Sequence, residues 1–170
     1  QHWAAARALL DGENPYAVMG ANGTGSTYLY PLPTALLHIP LAVLPEPLAR
    51  FLFVGGSAAL LGWVASKQGT LMAPMILSGA FFYSCAIAQL SPLLTATALL
   101  PALGALAFLK PQLGAALTVG ASNVKYVISA AVGSSAVFLA TLLIQPGWPA
   151  EWIDVLRHRS YDLHESLLVV

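Results

Sequence analysis

The stretch 126–145, YVISAAVGSSAVFLATLLIQ, decides the fold, because it has no charged residue over a length that can cross a bilayer. A helix of about 20 apolar residues spans the hydrocarbon core of a membrane. A second apolar stretch, 48–66, begins after Pro47 and ends before Lys67. Two such segments in one chain predict an integral membrane protein made of α-helices.

Charge is scarce throughout the chain. Of the 170 residues 8% are charged and 58% are hydrophobic, whereas about a quarter of the residues of a soluble domain carry charge. Seven Lys and Arg residues balance seven Asp and Glu residues, so no basic surface exists to bind nucleic acid. The expected partners are membrane lipids and other components of a membrane complex.

Further apolar segments predict an all-α, polytopic transmembrane helix bundle. Segments 71–88 and 93–109 are long enough to cross, the second being interrupted by Pro101. Segment 34–44 has only 11 residues before a Pro-Glu-Pro break, which favours a half-inserted helix over a span.

Both flanks of the bundle predict elements that lie on the membrane surface. Residues 1–10 form an Ala-rich interfacial helix, which Gly12 ends by taking the left-handed conformation. Residues 11–33 are rich in Pro, Gly and Asn and predict a surface loop with Tyr28 and Tyr30 at headgroup level. Segment 150–157 predicts an amphipathic helix on the same side.

The chain is expected to be one membrane-embedded domain fragment, 1–170, truncated at both ends. It starts at Gln1 without a signal sequence, and 166–170 begin an apolar run that stops. The outer loop and interfacial helices fill 1–47, the transmembrane helices fill 48–145, and an interfacial helix with a charged loop fills 146–165.

No metal or cofactor motif is present in the sequence. The four histidines have no partner ligand at helical spacing, so they are interpreted as surface or internally satisfied residues, and Cys85 is the single cysteine. Phosphate-binding and nucleophile-elbow motifs are also absent from the sequence. The prediction is therefore a protein without metal or cofactor.

Two cations are candidates for contacting an anionic lipid headgroup. Lys110 is the one charge in 68–124, and ionisable groups near lipid usually face a cavity or a partner. The alternative is a snorkelling lysine at a helix end. Arg7 in the first helix is the second cation, with His2, Tyr30 and Gln89 as further substrate-binding candidates. Gln89 fits a simple helix-end residue equally well.

Two carboxylates, Asp11 and Glu13, lie just after the first helix. Either is a weak candidate for a general base, and the alternative is a solvated surface acid.

The order of several short motifs resembles a known enzyme family. The run 6–16, ARALLDGENPY, is followed by Tyr-Pro-Leu-Pro at 30–33, Gln89, Lys-Pro at 110–111 and GWPAEW at 147–152. This order resembles the N-terminal half of the C-type glycosyltransferases of family 87. The resemblance implies an enzyme of the bacterial inner membrane that transfers a sugar from a polyprenyl-phosphate donor to a lipid or glycan acceptor with inversion.

The same resemblance places the catalytic acid of such enzymes just before the Ala-rich helix, upstream of Gln1. The activity of this chain therefore stays open, with two other functions beside it. A non-catalytic accessory subunit of a membrane complex would explain the few charges. A transporter fragment would explain helices broken at Pro101 and Pro111 beside an isolated lysine.

Overall fold

The computed structural model describes residues 1–21, 27–67, 69, 74, 77–120 and 123–167, with only the backbone of 19–21 and 159–167. Within these ranges the chain is helical and has no strand, which confirms the predicted all-α class for this part of the chain. A 3₁₀ helix, Pro101–Leu109, separates two groups of α-helices. The α-helices are α1 (His2–Leu10), α2 (Pro15–Ala21), α3 (Leu32–Ala42), α4 (Glu46–Lys67), α5 (Gly79–Ala86), α6 (Ser91–Leu99), α7 (Pro111–Val119), α8 (Val124–Ile144) and α9 (Trp148–Leu167).

Among the described residues, two helices are long and apolar enough to cross a membrane. They are α4 with 22 residues and α8 with 21, and they coincide with the predicted spans 48–66 and 126–145. Only 11% of the most apolar 18-residue window of α8 is buried. Its side chains Val124, Ile128 and Val132, one turn apart, are exposed. An exposed apolar face on helices of this length indicates membrane association.

The two other predicted spans are not single long helices in the described ranges. Five residues of 71–88 lie outside those ranges, and α5 covers eight of the others. The predicted interruption at Pro101 is confirmed, because Leu100 is extended (φ −121°, ψ 94°), as residues before proline tend to be. Segment 93–109 therefore consists of α6 and the 3₁₀ helix, and α6, at about 14 Å, is too short to cross alone.

The first 43 residues are more helical than predicted. Segment 34–44 does form a short helix, α3, of 11 residues. The prediction of one loop over 11–33 is wrong at two places, because α2 occupies part of it and α3 already begins at Leu32. The α2 helix forms because the Asn14 side chain accepts a hydrogen bond from the Tyr16 N–H (3.0 Å) and Pro15 occupies the first helical position. Residues 22–26 of the predicted loop lie outside the described residues.

The chain divides into two compact units. Unit 1 comprises 1–43 and 139–170, and in it α1 packs on α2 and α3 while α9 packs on α2. Unit 2 comprises 44–138, and in it α4 packs on α6, and the 3₁₀ helix packs on α6 and α7. The predicted division at 47 and 145 stays a prediction, although most of the first and last predicted segments lie together in unit 1.

Glycines allow the close packing in unit 2. A Cβ atom added to Gly114 of α7 would lie 2.0 Å from the carbonyl oxygen of Ala107 in the 3₁₀ helix. A Cβ atom added to Gly133 of α8 would lie 2.3 Å from the Cβ of Ala105. Small residues at helix contacts let backbones approach in this way, which is common where lipid surrounds the helices.

Candidate substrate-binding site

The end of α1 fixes where the first candidate residues lie. Gly12 has a positive φ of 76°, which confirms its predicted left-handed conformation. The Gly12 N–H donates to the Leu9 carbonyl (3.2 Å) and the Glu13 N–H to the Ala8 carbonyl (2.8 Å), which is the Schellman pattern. The helix therefore ends at a defined residue, and Asp11 and Glu13 are placed on its exposed end.

Small side chains bring α1 close to α3. Ala5 and Ala6 on α1 and Ala35 on α3 are completely buried. As a result, the buried His2 at the start of α1 lies over the buried His38 of α3, with ring centroids 4.9 Å apart and planes tilted by 32°.

Five rings from four separate segments meet in unit 1, and we call them the ring cluster: His2, Tyr16, Tyr28, Tyr30 and His38. His2 is 4.3 Å from Tyr30 and 6.3 Å from Tyr28, both edge to face. Tyr28 is 5.6 Å from Tyr16 and 6.1 Å from Tyr30. The cluster thus brings together His2 and Tyr30, two of the predicted substrate-binding residues, by direct ring contact.

The imidazole ring of His38 in the ring cluster is uncharged. The Nδ1 of His38 lies 2.8 Å from the Thr34 carbonyl oxygen, and because a carbonyl can only accept, Nδ1 carries the proton. Burial lowers the pKa of His38 below its ordinary value, so the ring is neutral and its Nε2 bears a lone pair. The histidine is internally satisfied, as the sequence interpretation expected.

The three tyrosines of the cluster also stay uncharged. Burial raises the pKa of Tyr16, and the nearby Glu151 carboxylate raises it further. Burial likewise raises the pKa values of Tyr28 and Tyr30. All three phenols therefore keep their protons at every physiological pH and act as neutral hydrogen-bonding groups.

Two side chains from helices bind the main chain of residues 27–31, which we call the tyrosine segment. The Tyr16 hydroxyl donates to the Tyr30 carbonyl oxygen (2.9 Å), and the indole N–H of Trp152 donates to the Leu29 carbonyl oxygen (3.0 Å). Trp152 also lies 6.1 Å from the fully buried Trp148 ring. These contacts join the first turns of α9 to the tyrosine segment.

The other candidates of unit 1 lie on its surface. The Arg7 side chain is half exposed, pairs with Asp11 (Nε to Oδ2, 3.4 Å) and reaches the Ala42 carbonyl oxygen at 3.5 Å. Glu13 is exposed. Within the described residues no hydrogen bond or ion pair joins Asp11 or Glu13 to the ring cluster, so their role as a general base stays a prediction.

Gln89 and Lys110 belong to unit 2. The Gln89 Oε1 accepts a hydrogen bond from the Ser91 hydroxyl (3.1 Å) in the break between α5 and α6. Lys110 lies in the turn between the 3₁₀ helix and α7, where its carbonyl oxygen accepts from the N–H groups of Leu113 (3.0 Å) and Gly114 (2.8 Å). Lys110 is partly exposed, and in the described ranges no carboxylate forms an ion pair with it. Its predicted contact with a phosphate stays a prediction.

An open groove of about 350 Å³ follows Lys110 along one face of α7. Its two hydroxyl groups are already used, since Thr118 donates to the Gly114 carbonyl (2.8 Å) and Ser134 to the Ala105 carbonyl (3.3 Å). The groove therefore presents hydrocarbon. Its lining is formed by small and apolar residues of the 3₁₀ helix, α7 and α8: Ala107, Phe108, Pro111, Gly114, Ala115, Thr118, Val119, Ala130, Ala131 and Ser134.

Sequence reasoning missed Tyr16, His38 and Trp152 as parts of the site. Tyr16 was assigned to a loop, whereas it lies on α2 and its hydroxyl donates to the main chain of the tyrosine segment. Trp152 is 123 residues from Leu29, its hydrogen-bond partner, and no sequence spacing signals a contact of that range. The one local pattern that indicated this region was the pair Tyr28 and Tyr30 followed by a proline.

Comparisons with protein-family models, with curated proteins and with solved structures find no match. Within the described ranges, no group of three or more His, Cys, Asp or Glu side chains could hold a metal ion.

Proposed function

We propose that this chain is the membrane-embedded part of a glycosyltransferase that takes its sugar from a polyprenyl-phosphate donor. The observation that carries the proposal is the ring cluster: His2 and Tyr30, which flank the resembling run 6–16, lie in contact with each other. The polytopic helix bundle, the bacterial inner membrane and the lipid partners belong to the same proposal, which the two long apolar helices support.

The cluster has the chemistry that a sugar needs. A sugar ring presents apolar C–H faces and hydroxyl groups, and neutral aromatic rings with polar edges pair with both. Tyr30, the one partly exposed ring of the cluster, supplies a ring face and an edge, and the buried rings of His2 and Tyr28 pack against it. The buried His38 ring, whose Nδ1 donates to the Thr34 carbonyl, lies behind His2 and supports the position of that ring.

Arg7 is the cation of the proposed site. It lies five residues after His2 on α1, about 7.5 Å along the helix axis. A guanidinium group pairs with phosphate oxygens through two parallel hydrogen bonds, so it would stabilise the negative charge of a departing polyprenyl phosphate. Its exposed pair with Asp11 is weak enough to exchange for such a ligand.

The proposed reaction is an inverting displacement. An acceptor hydroxyl oxygen bonds to the anomeric carbon as the bond to the phosphate oxygen breaks, and a carboxylate takes the hydroxyl proton. By resemblance this carboxylate precedes Gln1, and Asp11 and Glu13 are the weaker candidates within the chain.

Transfer by the full-length protein tests the proposal. Nanodisc-embedded protein is mixed with polyprenyl-phosphate sugars and a lipid acceptor extract, and products are detected by mass spectrometry. We expect transfer, and we expect Arg7→Met to raise the donor KM about tenfold. Arg157→Met, at an exposed position on α9, is the matched control and should behave as wild type. Absence of transfer from every donor would favour the accessory-subunit alternative.

A further inference from the structure

The tyrosine segment, residues 27–31, has no regular structure that could hold it in place. Outside helices and strands, backbone carbonyls need partners from side chains or water. In this segment two consecutive carbonyls, those of Leu29 and Tyr30, have side-chain donors from α9 and α2 respectively. The position of the segment therefore depends on helices that contribute no ring other than Tyr16 to the cluster.

The donor on α9 is itself rigidly held. The Trp152 ring lies against the fully buried Trp148 ring. At the start of α9, the Gln145 side-chain amide donates to the Glu151 carboxylate, and the Glu151 N–H donates to the Gly147 carbonyl (3.2 Å). These contacts fix the first turn of the helix, so the indole N–H points at Leu29 from a defined place.

We infer that Trp152 is a positioning residue for the ring cluster. By holding the Leu29 carbonyl it sets the backbone between Tyr28 and Tyr30, whose rings both face His2. Leu29 lies between the two tyrosines, and both of their rings contact His2, so a shift at Leu29 moves both tyrosine rings. The charged helix α9 thereby determines the geometry of a site formed by the first 43 residues.

The inference rests on the proposed function for its effect on catalysis, but not for its effect on structure. In the proposed site a ligand contacts the partly exposed ring of Tyr30, and the position of that ring depends on this segment. Displacement of Tyr28 and Tyr30 should therefore weaken ligand binding. The carboxylate that takes the acceptor proton lies elsewhere, so the rate of the chemical step should change little.

The structural test uses fluorine NMR on the full-length chain with 3-fluorotyrosine placed at Tyr30. Trp152→Phe removes the indole N–H and keeps an aromatic ring, and Tyr16→Phe removes the other donor. We expect each to shift or broaden the Tyr30 resonance. Trp63→Phe, at a side chain 55% exposed on α4, should leave it unchanged. An unchanged resonance in a folded Trp152→Phe protein would overturn the inference.

The kinetic test separates positioning from loss of folded protein. Trp152→Phe is expected to raise the donor KM about fivefold, with kcat within about twofold of wild type. A purely structural role would lower kcat through a smaller active fraction and leave KM unchanged, which would contradict the inference. If wild-type protein transfers no sugar, the proposed function fails, and the fluorine spectra still decide whether Trp152 positions the tyrosines.

Discussion

The contacts inside unit 1 differ in kind from the contacts inside unit 2. Unit 1 joins short helices through ring contacts and side-chain hydrogen bonds of 2.9–3.0 Å to main-chain carbonyls, as at Tyr16 and Trp152. Unit 2 packs helices at glycines, and its hydroxyl contacts from Ser129 and Ser134 to the 3₁₀ helix are longer, at 3.5 and 3.3 Å.

This difference indicates where a polar ligand can be recognised. Directional hydrogen bonds and rings fix the positions of chemical groups, whereas contacts between glycines and alanines fix only the distance between backbones. Unit 1 is therefore where we place the proposed binding site, whereas the glycine contacts of unit 2 set only how closely its helices pack. The predictions that follow test this contrast in both units.

The largest effect is expected in unit 2, for Gly114→Ala. The new Cβ would lie 2.0 Å from the Ala107 carbonyl oxygen, so α7 must move away from the 3₁₀ helix. We expect a loss of about 3 kcal/mol in the free energy of unfolding, measured by denaturation in detergent. Gly55→Ala is the control, since a Cβ there meets nothing within 4 Å and should stabilise α4 by up to about 1 kcal/mol. Equal effects of the two substitutions would refute the packing argument.

In unit 1, stability should depend on pH through His38. Its folded-state pKa lies below the unfolded value of about 6.5, so in acid the unfolded state binds more protons. Stability from this group is complete above pH 6.5 and is lost as the pH falls through 6.5 toward the folded pKa. Between about pH 7.5 and about pH 5.5, the thermal unfolding temperature should fall less for His38→Gln than for wild type. For the variant His158→Gln, at an exposed position, the unfolding temperature should fall as much as for wild type. A smaller fall in this variant would show that His38 is not the group responsible for the pH dependence.

One asparagine cap in each unit allows a direct comparison of the two units. Asn14 accepts from the Tyr16 N–H at the start of α2, and Asn123 accepts from the Lys125 N–H at the start of α8, both at 3.0 Å. Each change to Ala should cost about 1 kcal/mol of unfolding free energy. Only Asn14→Ala should shift the fluorine resonance of 3-fluorotyrosine at Tyr30, because Tyr16 belongs to the ring cluster of unit 1, whereas Asn123 belongs to unit 2. The same spectral change in Asn123→Ala would contradict the separation.

The smallest effect is expected for the exposed ion pair of unit 1. Arg7 and Asp11 have side chains about half exposed, so their attraction is weakened by solvent. Asp11→Asn should change the free energy of unfolding by no more than about 0.5 kcal/mol, and less at high salt than at low salt. Glu13→Gln is the control. A larger, salt-independent loss would show that Asp11 has a structural role.

Much of the helical architecture could be predicted because it depends on local chemistry. The lengths of α4 and α8 follow from uncharged runs, the end of α1 follows from Gly12, and the break at Leu100 follows from the proline after it. The α2 helix was missed because Asn-Pro starts a turn as readily as a helix. The Asn14 cap and Pro15 allow a helix here, and the contacts of α2 with α1 and α9 stabilise it over the turn.

The sequence by itself determined that this chain is helical, poor in charge and apolar enough in two segments to cross a membrane, since these properties follow from composition and residue order. Only the tertiary structure decided that His2 meets Tyr30 and His38, and that Trp152 holds Leu29 across 123 residues. The reason is physical: helical periodicity relates neighbours a few residues apart, whereas the meeting of distant segments depends on how small alanine faces and hydrogen-bond donors fit once the helices pack.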